Sequence, residues 1–92
     1  MNNTKPVELY LRKFTKKELL TFTYNEILQR IVNFTVDVEF FQRKAKRYKP
    51  ESQETLDALK DSLESKESLA LNKLSLVVIE EQLQKLENEE KK

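Results

Sequence analysis

The densest run of reactive side chains in this 92-residue sequence is Arg43-Lys44-Ala45-Lys46-Arg47-Tyr48-Lys49, five cations in seven positions. Arg43, Lys44, Lys46, Arg47 and Lys49 could grip phosphates while Tyr48 stacks on a base or ring, which is the chemistry of nucleic-acid binding. A plainer account competes with it. Cations are favoured at the C-terminal end of a helix dipole, and the acids Glu51, Glu54 and Asp57 follow directly and can neutralise them. Arg12, Lys13, Lys16 and Lys17 join the tract only if the fold gathers them.

Carboxylates are plentiful, but Glu80, Glu81, Glu87, Glu89 and Glu90 crowd toward the end of the chain and off the apolar stripe. They read as a solvated face, not as the inward-pointing shell of a bundle metal site. The chain has no His and no Cys. It therefore lacks the commonest general base and metal ligand, and it can form no disulfide, thiolate nucleophile or Ser-His system. A Ser-Lys pair is compatible with the composition, yet no spacing points to one. The absence of Gly removes any Gly-rich nucleotide loop and argues against a β-rich fold, whose tight turns lean on positive φ. The expectation is a protein that is not an enzyme and uses no cofactor or metal.

Such a chain must work through its surface, and the composition describes that surface. Charged residues make up 36% and hydrophobic ones 38%, which suits long solvated helices. Net charge is +1, but residues 1–50 carry eleven Lys/Arg against five Asp/Glu, and residues 51–92 carry six against eleven. The length fits one small domain, which buries only part of its surface and commonly leans on disulfides, metals or oligomerisation. Here only oligomerisation remains. Residues 1–17 hold no apolar core of signal-peptide length, and no segment approaches the roughly 20 apolar residues of a membrane span. The expectation is a cytoplasmic, intracellular protein with no membrane partner.

The elements follow from periodicity. Val7, Tyr10, Leu11 and Phe14 at i, i+3, i+4, i+7 predict a short helix over 6–13, although Val7, Leu9 and Leu11 also alternate as a strand would. Thr15-Lys16-Lys17-Glu18 is a capping box, flanked by Phe14 and Leu19 as a hydrophobic staple, so a long helix begins at Lys16. Leu20, Tyr24, Ile27, Ile31, Phe34, Val38, Phe41, Ala45 and Tyr48 then repeat at alternating spacings of four and three, a heptad seam of coiled-coil type over 16–48. Residues 34–40 also alternate as a strand would. Only Asn33 would separate such a strand from the helix, too short a connection, so a continuous helix is favoured.

Lys49-Pro50 ends that helix, and a second runs over 51–88. Its apolar residues form two stripes. Leu56, Leu59, Leu63, Ala70, Leu74 and Val77 make the first, and Leu69, Leu76, Ile79, Leu83 and Leu86 make the second. The handover near 63–68 predicts a shifted buried face, a bend or a break. The fold class expected is all-α, one domain: a short N-terminal helix and an antiparallel hairpin of two long helices, completed as a bundle by self-association.

Phe22, Leu28, Val32, Val36 and Phe40 lie off the heptad seam and widen the apolar arc beyond what one partner helix covers. They are the candidate protein interface. The function expected is a non-enzymatic protein–protein interaction module, a small adaptor, inhibitor or assembly factor that binds itself or another protein. Nucleic-acid binding through the basic tract is the alternative, and no small-molecule substrate is expected.

Overall fold

A computed structural model of the chain describes residues 14–90, and the short helix expected over 6–13 lies outside them. Two helices make up the described structure: α1, Lys16–Ala45, and α2, Gln53–Glu90. They pack side by side as a hairpin, and no strand occurs among the described residues. Residues 34–40 are helical, because their seam positions Phe34 and Val38 have a partner helix to cover them.

α1 starts where the capping box places it. The Glu18 amide donates to Thr15 Oγ1 at 3.1 Å, and Glu18 Oε1 accepts from the Thr15 amide at 3.2 Å. The helix ends at Ala45 rather than Tyr48. The Lys46 and Arg47 amides fold back onto the Arg43 and Lys44 carbonyls, at 3.2 and 3.1 Å, and tighten the last turn. α2 likewise starts later than expected, at Gln53, because Ser52 serves as its cap: the Thr55 amide donates to Ser52 Oγ at 3.3 Å. Pro50 and Glu51 sit in a turn before it.

The inner surface of α2 differs from the one its leucines predict. Its buried and half-buried residues include Thr55, Ala58, Ser62, Ser65, Leu69, Asn72, Leu76, Ile79, Leu83 and Leu86, a three-and-four spacing without interruption, with half-buried Asp61, Ser68 and Gln82 each one position before it. One continuous helix of 38 residues carries this seam from end to end, with no break at 63–68 and no change of face. The second leucine stripe does lie on the seam. The first, Leu56 through Val77, lies outside it, with Leu63 at 65% and Leu74 at 62% exposure.

The physical reason is volume. Toward the loop, the seam of α1 presents Phe34 and Phe41, and opposite them stand Ser65 and its small neighbours Ser62 and Ala58. Large against small fills the space between two helices about 8–10 Å apart, whereas leucine against phenylalanine would hold them off. Toward the open end the sizes even out, and Ile27 meets Ile79. At 5% and 9% exposure these isoleucines are the most enclosed large side chains described.

The product is a single layer. Its extents are 60 × 41 × 13 Å, with a radius of gyration of 19.4 Å. A compact fold of this length would have about 12 Å. No described helix is long and apolar enough to cross a membrane.

Candidate interaction faces and the basic tract

A one-layer hairpin has two broad faces, and the seam gives a simple rule for them. In an antiparallel pair the helical rotation reverses between partners. Residues one position after a seam residue on either helix therefore fall on the same face. Leu59 lines one depression with Gln42 and Lys46, each one position after a seam residue, as the rule requires. Asp61, Glu64 and Ser68, each one position before, line another with Phe34 and Phe41 on the opposite side.

By this rule Leu56, Leu59, Leu63, Ala70 and Val77 share one face with Leu28 and Val32 of α1. All seven are exposed. The positions before the seam include Glu26, Arg30, Asn33, Asp37, Lys44, Glu54, Asp57, Asp61 and Glu64, with Phe40, Leu71 and Val78 the exposed apolar exceptions. The hairpin thus has a leucine face and a charged face. Lys66, Lys73 and Glu80 interrupt the leucine face on α2, and on α1 Leu28 and Val32 share it with the polar Thr21, Asn25, Thr35, Glu39, Gln42 and Lys46, so its apolar part is chiefly the α2 row.

The five residues expected to form the protein interface are all exposed, but the structure does not bring them together. Leu28 and Val32 belong to the leucine face. Val36 sits opposite the seam, on the outer ridge of α1. Phe40 lies on the charged face, its ring edge-on to Phe41 at 5.2 Å, and Phe22 packs edge-on against Phe14 at the same distance. A row at i+4 spacing winds across a helix instead of staying on one side. The leucine row is hard to recognise as surface from sequence because its three-and-four spacing is that of a seam. The signal was present in Thr55, Ala58, Ser62 and Ser65, a small-residue row with seam spacing.

The basic tract is divided as well. Arg43, Lys44 and Arg47 share a shallow depression of about 420 Å³ with Phe40 and Tyr48. Lys46 lies beside Tyr48, Pro50 and Leu59, and Lys49 beside Pro50 and Glu51. Arg43 bonds Glu39 on its own helix at 2.8 Å. Among the described residues neither Glu51, Glu54 nor Asp57 makes an ion pair with the tract, so the expected neutralisation acts through proximity only. The other described ion pair, Lys17 to Glu90 at 3.4 Å, joins the open ends of the helices. No three acidic side chains among the described residues converge as a metal site would require.

The loop that carries the tract is held by one buried hydroxyl. Thr55 Oγ1 lies 2.8 Å from the Lys49 carbonyl and 3.2 Å from that of Ala45, a helix-end carbonyl without a helical donor. Ser52 Oγ, 2.7 Å from the same Lys49 carbonyl, completes the cluster. Thr55→Val keeps the shape and deletes the donor. It is expected to cost about 1–3 kcal/mol in urea denaturation, because the Ala45 carbonyl loses its side-chain donor, while the Lys49 carbonyl keeps the Ser52 hydroxyl and amide. A change under about 0.3 kcal/mol would show that water replaces the hydroxyl.

The chain matches no family model, no curated protein and no solved structure.

Proposed function

We propose that this chain is a non-enzymatic protein-binding module, a small adaptor, inhibitor or assembly factor, that docks through its leucine face. The observation that carries the reading is the row of exposed leucines on one side of α2. Leu56, Leu59 and Leu63 lie on one side of a single layer whose other side is mostly charged. Scattered surface leucines are ordinary, whereas a contiguous apolar band with a polar rim marks an interaction surface. Self-association is part of the proposal, since a layer this thin leaves its apolar side to be covered from outside.

Nucleic-acid binding is the second reading, favoured by the three cations and two aromatic rings around one depression. Division of the tract counts against it, as does the excess of acids on α2. One pair of variants separates the two. Leu59→Lys with Leu63→Lys is expected to abolish capture of protein partners, its own copies included, on immobilised chain. Lys44→Gln with Lys46→Gln is expected to leave that capture unchanged. A salt-sensitive gel shift lost in the second variant would put nucleic acid first, because each neutralised phosphate releases counterions.

A further inference from the structure

We draw no further inference here: the strongest candidate, the exposed row of Leu56, Leu59 and Leu63 on α2, lies beside a mostly polar side of α1, and nothing in the structure shows what covers it.

Discussion

Ile27→Ala and Ile79→Ala are each expected to destabilise the fold by about 2–5 kcal/mol, the range for truncating an enclosed aliphatic side chain. In a chain of this size that is a large share of the total, since native stabilities run about 5–15 kcal/mol. Both residues are nearly buried, and both line one depression between the helices with Thr23 and Leu74. They hold the open end of the hairpin. There the other described tie is Lys17 to Glu90, an exposed pair of little worth. Urea denaturation at one fixed protein concentration checks the figure, because association would make stability concentration-dependent. Since the two side chains share a site, the double variant should cost less than the sum of the singles. A cost under about 1 kcal/mol for either would mean that the helices close around the gap, and that this end is not the core.

The second large effect lies at the other end of the seam and runs in the opposite chemical direction. Ala58→Leu and Ser62→Leu add apolar volume, yet each is expected to destabilise the hairpin by about 1–3 kcal/mol. Ala58 and Ser62 are 2% and 3% exposed, on the seam that carries Phe41, so an isobutyl group there must push the helices apart or leave its rotamer. One residue further on, the prediction inverts. Leu59→Ala and Leu63→Ser remove apolar volume from exposed positions. They should leave the intrachain seam intact and change only association. Thermal melts, read beside sedimentation, distinguish the two classes. Melting points that fell for the leucine variants and held for the seam variants would mean that α2 is rotated by about 100°, with its leucines on α1.

These pairs mark the limit of what the pattern of α2 could tell. On α1 the seam was legible because its large apolar residues keep a single heptad phase from Leu20 to Ala45, and because Thr15 and Glu18 cap it at a definite residue. On α2 hydrophobicity points to the wrong row. Leu56, Leu59 and Leu63 are the most apolar residues before Leu69, and the row that meets α1 there is Thr55, Ala58, Ser62 and Ser65. Apolar character ranks residues by what they gain when removed from water. Packing between helices also depends on the size of what stands opposite, and that is invisible along one strand of text.

The basic tract shows the same division. Its composition, and its place at the end of a helix, could be read directly. The separation of Arg43, Lys44 and Arg47 from Lys46 and Lys49 could not, because α1 stops at Ala45 and the chain turns there. At that stop the Lys46 and Arg47 amides fold back onto the Arg43 and Lys44 carbonyls, and Thr55, ten residues on from Ala45, sets its hydroxyl 3.2 Å from the Ala45 carbonyl.

By itself the sequence determined the helical class, the start of α1, the place of the turn and the absence of His and Cys chemistry. Local rules govern all of these, through caps, periodicity, Pro50 and residue type. Only the tertiary structure decided which side of α2 faces inward, and hence that the hairpin has one leucine face and one charged face. The physical reason is that a helix with two apolar rows has two ways to pack. Bulky Phe34 and Phe41 on the partner leave room only for the row of small side chains.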